Sequence, residues 1–424
     1  MNFTNFGTLN ERLSKLVDDA RNDISSWGSF KLPIIDKSNP KYNIEFSNRL
    51  PSDSKLMYTK ISLEVVFDPI VDIHFNISEE PSIRVRVGED LVKKGFFAKD
   101  LYLSLVGEDK FTSEYFLSTF KTLDNIFFSY AISFIKYGVM IYIPNDLDEV
   151  VVNINKNIKS DVLGSVYTML YIGEDSNVKV YESILSDTDE SMFAFELSET
   201  ILGRNSNLWY NIIQNVNPNS EYFSSRRVET LGSNNVEFND ILVGSRYTRT
   251  DDKILMVGDN VESKYTGIYF TNGDQKYDIL ATARHKGSNQ GADVIVKGVL
   301  DGRSKVYFYG TLKVEENLKG INSHLGGHSL HLSPECKSDS IPALEVDSFD
   351  VKTGHAASLT QLDEEKLFYM MSRGLSEYEA KKAIVQGFIE GAVRRISDKD
   401  LGIKVKKLLK EKGLDVIETE LELI

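Results

Sequence analysis

Between Val139 and Val351 the chain shows almost no helical periodicity, and this tract constrains the fold more than any other feature. Short runs rich in β-branched and aromatic residues follow one another through it: Val150–Ile154, Val166–Ile172, Val178–Ile184, Met192–Leu197, Leu208–Ile213, Val236–Val243, Ile268–Thr271, Tyr277–Ala283, Ala292–Val299, Lys305–Leu312 and Ala343–Val351. Turn residues such as Gly173-Glu-Asp-Ser, Gly203-Arg-Asn-Ser, Asn272-Gly-Asp and Asp301-Gly separate many of them. Strand-length apolar runs with turn punctuation are the pattern of an all-β unit. Their spacing suits a sandwich, a barrel or a β-solenoid, and no exact repeat motif chooses among the three.

The flanks read differently. Leu9 to Ile24 has apolar residues near helical spacing, which predicts an amphipathic helix. Short strands are expected at Ile61–Phe67 and Ile83–Val87, and a helix over Phe111–Ile135. The run Ile126–Ile143 is as long as a membrane span, but Lys136 near its middle would be costly in lipid. A buried helix followed by a buried strand, with the break at Gly138, is the favoured reading. After Val351 helical signals return. Asp363, Glu364 and Glu365 suit a first turn, Arg373-Gly374 a helix end, and Ser376-Glu-Tyr-Glu379 a capping box. Ala380, Ala383, Ile384, Gly387, Phe388 and Gly391 would share one face of that second helix. Ser397 with Asp400 would open a third, ending near Lys412. Three units follow: a mixed α/β region over 1–138, a β core over 139–358 and a small helical domain over 359–424.

Composition narrows the function. With 49 basic and 63 acidic residues the net charge is −14, which argues against nucleic acid as a partner. Met1 to Gly28 carries four acidic residues and lacks an apolar core, so no secretory signal is expected there. One cysteine, Cys336, permits no intrachain disulfide and no closed four-thiolate site within one chain, and it fits a cytoplasmic setting. No phosphate-binding loop, dinucleotide fingerprint or nucleophile motif is present, so no nucleotide is expected on this chain and none of the motifs points to an enzyme.

His324, His328 and His331 would share a helix face, but Gly326-Gly327 and the β pattern around them favour a strand. There His331 points away from the other two, so partly exposed strand histidines are favoured over a metal cluster. Cys336 and His355 have side chains that suit iron–sulfur species. From the residues alone, a small buried thiol and an ordinary polar contact describe them as well.

One stretch goes further. Pro342-Ala-Leu-Glu345, Asp350-Val351, Gly354-His-Ala356, Leu362-Asp-Glu-Glu365, Leu367-Phe-Tyr369, Ser372-Arg-Gly374 and Gly387-Phe388 resemble, in order and spacing, the C-terminal signature of SufD proteins, members of the SufB/SufD family. Ala356 and Leu375 stand where that signature has glycine and isoleucine. Weaker likeness lies upstream, in His285-Lys-Gly-Ser-Asn, Lys297-Gly-Val-Leu300, Phe308-Tyr-Gly310 and Gly138-Val-Met-Ile-Tyr-Ile-Pro144.

The resemblance implies a mainly β fold, a right-handed parallel β-helix flanked by the N-terminal α/β region and the C-terminal helices. It implies a non-catalytic scaffold of the SUF iron–sulfur cluster assembly system, pairing with a SufB-like subunit through the last strands. It also implies docking of the ABC-type ATPase SufC on the C-terminal helices, carried over to Leu367, Phe368, Tyr369, Arg373, Gly374 and Phe388. His355 falls on the histidine linked to a transient, nascent cluster at the subunit junction, with Cys336 as its less certain companion. The junction cysteine of SufB-like proteins corresponds more nearly to Gly327 here. Two rivals stand beside this: a self-pairing SufB-like scaffold, in which Cys336 and His355 of two copies face each other, and a β-solenoid acting on polysaccharide.

Overall fold

A computed structural model describes residues 30–31, 43–44, 60–66, 70–77, 82–107, 109–120, 126–133, 135–159 and 165–412. The amphipathic helix expected over Leu9–Ile24 lies outside the described residues.

β1 (Phe30–Lys31) and β2 (Asn43–Ile44) form a short antiparallel pair. All other described strands belong to two facing sheets. In spatial order the first holds β3 (Lys60–Val66), β5 (Ser82–Gly88), β4 (Ile70–Ile77), β8 (Leu147–Ile158), β10 (Ser176–Ser186), β12 (Asn207–Asn215), β14 (Asn234–Leu242), β16 (Val261–Thr271), β18 (Gln290–Leu300), β20 (Lys319–His331) and β22 (Asp350–Gln361). The second holds β6 (Phe97–Asp100), β7 (Ile135–Ile143), β9 (Ser165–Ile172), β11 (Phe193–Leu202), β13 (Glu221–Thr230), β15 (Tyr247–Met256), β17 (Lys276–His285), β19 (Lys305–Val314) and β21 (Lys337–Val346). From β7 and β8 onward the chain alternates between the sheets, and every neighbouring pair within a sheet is parallel. This is a parallel β-solenoid of about eight coils, so the sandwich and barrel readings fall.

The sequence stacks this way because strand alternation and corner chemistry repeat together. In β10, Val178, Val180, Glu182 and Ile184 face inward while the residues between them face out. At one corner, Asp146, Asp175, Asn205, Ser233, Asn260 and Asn289 all adopt positive φ. Each donates its backbone N–H to a carbonyl one coil further on, as Asp175 does to Arg204 O and Asn260 to Ser288 O, both at 3.0 Å. Asn and Asp tolerate this conformation better than most residues, so their recurrence marks the corner.

Helices cover the outer faces. α1 (Glu89–Lys93), α2 (Leu101–Val106), α3 (Lys110–Tyr115) and α4 (Ile126–Ser133) precede the solenoid. Phe116, Phe120, Phe127 and Phe128 pack with Phe193, Phe195 and Phe223 of the second sheet in one cluster. The helix expected over Phe111–Ile135 is therefore interrupted. Asp109 caps α3, Phe116 is extended and Leu117 has φ 51°, which turns its side chain and that of Phe116 into the cluster. The break before β7 falls ahead of Ile135, and Gly138 sits inside the strand, where a Cβ would press on Leu101 at 2.6 Å. None of the described helices is long and apolar enough to cross a membrane.

α5 (Glu364–Ser372), α6 (Glu377–Val393) and α7 (Lys399–Glu411) follow the last strand. The Ser376–Glu379 capping box forms as the sequence predicts. The cap of α7 is Asp398 rather than Ser397, because the Asp398 carboxylate reaches Leu401 N at 2.8 Å. The buried stripe of α6 is Ala380, Val385, Ile389, Ala392 and Val393, not the face through Gly387 and Gly391. It packs on Ile241, Ile268, Phe270 and Val299, outward-facing apolar residues of the first sheet.

Candidate functional site

Among the described residues the two sheets end in an uncovered coil, β21 and β22. In a parallel ladder, paired residues point to the same side of the sheet. His355 pairs with Leu325, which is fully buried in the core. The inward column of β22 is thus Val351, Thr353, His355, Ala357 and Leu359. With no coil beyond it, His355 and Leu359 are exposed. Across the coil, Leu344 of β21 pairs with the core residue Leu312 and is likewise exposed. Gly310 lies against Leu325 one coil below, which puts Pro342, its partner, at the level of His355. In the turn between the two strands Phe349 is fully exposed.

Cys336 occupies a different place. It lies in the turn before β21, belongs to the main core cluster and is 6 % exposed. Its thiol lies 3.4 Å from Gly302 O, and burial pushes its pKa up, which disfavours the thiolate. The level of Cys336 along the coil is fixed by its neighbours. Ser338 lies 2.7 Å from His331 Nε2, and His331 pairs with Gln361. His355 is six residues back along the strand from Gln361, roughly 20 Å at strand rise. Within one chain the fold does not bring Cys336 and His355 together.

The other histidines separate as a strand requires. His324 and His328 face outward on β20, with Gly326 between them. His328 Nδ1 lies 2.8 Å from Ser358 Oγ, and partial burial with Lys297 nearby pushes its pKa down. His331 points inward. Among the described residues no group of three or more His, Cys, Asp or Glu is arranged to hold a metal ion. His285 is buried, 2.9 Å from Ser323 Oγ and 3.0 Å from Gln290 Oε1, and burial lowers its pKa to about 4. At Gly327 an added Cβ would run into Ser340 Oγ and the Phe308 ring, so no side chain fits there without repacking.

Beyond the last coil, α5 and the start of α6 present apolar side chains to solvent. Phe368 is 74 % exposed, and Tyr369, Met371, Leu375 and Tyr378 are also exposed. The Arg373 guanidinium stands 5.1 Å from the Tyr369 ring centre. α5 buries none of its residues. Leu367 is half-buried, Gly374 ends the helix with φ 100°, and Phe388 lies further along α6 against Lys297 Nζ at 4.6 Å. These exposed apolar side chains are grouped on one short helical hairpin.

Sequence reasoning missed one feature of the interior. The middle coils bury Lys156, Glu182, Glu196, Arg226, Asp240 and Asp252 among apolar neighbours. The signal that finds them is the coil repeat: paired residues lie 26 to 32 positions apart, as in Arg226↔Asp252 and Lys305↔Lys337.

The fold is a parallel β-solenoid whose last described coil, β21 and β22, is open. The chain matches the family model described as SUF system FeS cluster assembly, SufBD core domain, over residues 157–388, more than half of its length. A Staphylococcus saprophyticus protein named as an iron–sulfur cluster assembly SufBD family protein is 25 % identical over 412 residues, covering 95 % of this chain and 88 % of that one. Relatives of the same family name from Staphylococcus epidermidis and Staphylococcus aureus are 27 % identical over 325 and 326 residues, covering 76 % of this chain and 70 % of each relative. The chain belongs to the SufB/SufD family, and its role lies in SUF iron–sulfur cluster assembly.

Proposed function

We propose that this chain is a SufD-like, non-catalytic scaffold that pairs with a SufB-like subunit through its uncovered coil and carries a SufC-type ATPase on α5 and α6. The observation that carries this reading is the terminal coil itself. Its inward column continues the core pattern of the coils below, yet Leu344, His355 and Leu359 face solvent. A second stack of the same kind is the occupant such an end fits.

His355 is the residue this reading assigns to the nascent cluster, which is the cargo of the assembly. It stands in the middle of the open coil, where a partner's groups reach it. Cys336 is buried about six residues away along the coil, so it contributes only if the junction opens the turn that covers it. The crowding at Gly327 favours the SufD-like assignment, because a SufB-like junction cysteine has no room at that position.

The test is co-purification with a SufC ATPase and a SufB homologue. The expected product is a complex holding all three chains. Leu359→Asp should release the SufB-like subunit and keep the ATPase, while Phe368→Asp should do the reverse. A stable complex of this chain and the ATPase with no second scaffold type would favour the self-pairing reading. Normal cluster assembly by His355→Ala in a strain that depends on this system would remove the site assignment.

A further inference from the structure

A solenoid core is ordinarily a stack of apolar side chains, because an ion inside it loses its hydration. The middle coils of this chain depart from that. Lys156 Nζ lies 2.5 Å from both Glu182 Oε1 and Glu196 Oε1. Arg226 lies 3.4 Å from Glu196 Oε2 and 3.4 Å from Asp252 Oδ1. Tyr210 donates to Glu182 at 2.8 Å, Tyr265 donates to Asp252 at 3.0 Å, and Tyr222 donates to Glu196. All of these residues are buried.

The charges do not balance, since the carboxyls Glu182, Glu196, Asp240 and Asp252 outnumber Lys156 and Arg226, the cations set among them. Asp240 is the worst paired of the four. It is 1 % exposed, and neither of its oxygens has a hydrogen-bond donor. Arg226 Nη1 is 3.9 Å away, beyond hydrogen-bond length. Its neighbours along the sheet are Ile212 and Gly267. The same Arg226 Nη1 stands 3.4 Å from Asp252 Oδ1, so the two carboxyls flank one guanidinium nitrogen. Two carboxylates cannot hydrogen-bond to each other, whereas a single proton makes one of them a donor and lowers the surplus negative charge by one.

We propose that the solenoid core contains a proton-binding site at the Asp240–Asp252 pair, occupied at neutral pH, with Asp240 as the neutral acid. The groups that act on the pair are Asp251 on β15, Arg226, Arg227 and Tyr222 on β13, Glu196 on β11 and Tyr265 on β16. Glu182 on β10, Tyr210 on β12 and Lys156 on β8 form the shell behind them. Burial and then Asp252 raise the Asp240 pKa well above the carboxylate range, and Arg226 opposes them. The folded chain therefore keeps a proton that the unfolded chain releases above about pH 3.9. The stability this contributes is full below that pH and lost as pH rises through the folded value.

Infrared spectroscopy of the purified full chain at pH 7, in H2O and D2O, tests the site. The wild type should show a protonated-carboxyl carbonyl band that shifts on deuteration, and Asp240→Asn should lose one component of it. Asn is neutral and its amide can donate to Asp252, so the variant should fold. In urea titrations between pH 6.5 and 7.5, the folding equilibrium constant of the wild type should fall by up to about tenfold per pH unit relative to the variant. A wild-type spectrum with no acid-carbonyl band at pH 7 overturns the proposal, whether or not the variant folds. Parallel pH profiles for the two proteins overturn it as well.

Discussion

The middle of the solenoid and its last coil have the same architecture and opposite chemistry. In the middle, Arg226 and Glu196 are buried because a coil lies on either side of each. In the last coil, Leu344 and Leu359 occupy equivalent inward positions and are exposed, because no described strand lies beyond β21 and β22. Burial in a stacked fold is conferred by the neighbouring coil as much as by the residue. Charged strands can therefore be core, and apolar ones can be a docking surface.

That contrast sets the order of the expected effects. Arg226→Ala should be the most damaging change, about 3–5 kcal/mol by urea unfolding, because it strands buried carboxylates. Acidification comes next. His285 is buried and neutral, with its pKa lowered to about 4. The unfolded chain takes up that proton first, so stability should decline as pH falls from about 6.5 to about 4, by up to roughly 3 kcal/mol. The Asp240 site has the opposite slope over the same range, so a thermal-melt series with His285→Gln as the control isolates the histidine's part. Asp398→Ala removes the α7 cap and the acceptor of the Tyr181 hydroxyl, and should cost about 1–2 kcal/mol in the same assay. Leu359→Asp should change the stability of the isolated chain by less than about 0.5 kcal/mol, because that side chain is already exposed. A large loss from Leu359→Asp, or none from Arg226→Ala, would break the contrast between the two regions.

The same contrast explains what was legible in the sequence. Strands whose inward residues are apolar, such as β10 and β19, announced themselves through alternation. β13 and β15 did not, because Arg226, Arg227, Asp251 and Asp252 read as surface residues. Arg226 and Asp252 are core because the adjoining coils enclose them, and Arg227 because the segment after α3 covers it, where Phe120 stacks 4.8 Å from its guanidinium. The run Ala343–Val351 merged the end of β21 with the start of β22, since the turn at Phe349 carries neither Gly nor Pro. Capping chemistry was the most direct signal: Ser376 and Glu379 act within one turn, and no tertiary contact is needed to read them. The solenoid itself became readable through resemblance, because neighbouring coils match at few side chains and share mainly a repeat of corners. For the site, resemblance picked out His355, while only the register showed how far from it Cys336 lies.

Hydrogen–deuterium exchange along β21 and β22 tests the central claim most directly, comparing the chain alone with its complex with a SufB homologue and the SufC ATPase. Amides of Lys337–Val346 and Asp350–Gln361 should exchange faster than those of β13 in the free chain and become strongly protected in the complex. Unchanged exchange in both terminal strands, in a complex that has formed, would contradict it.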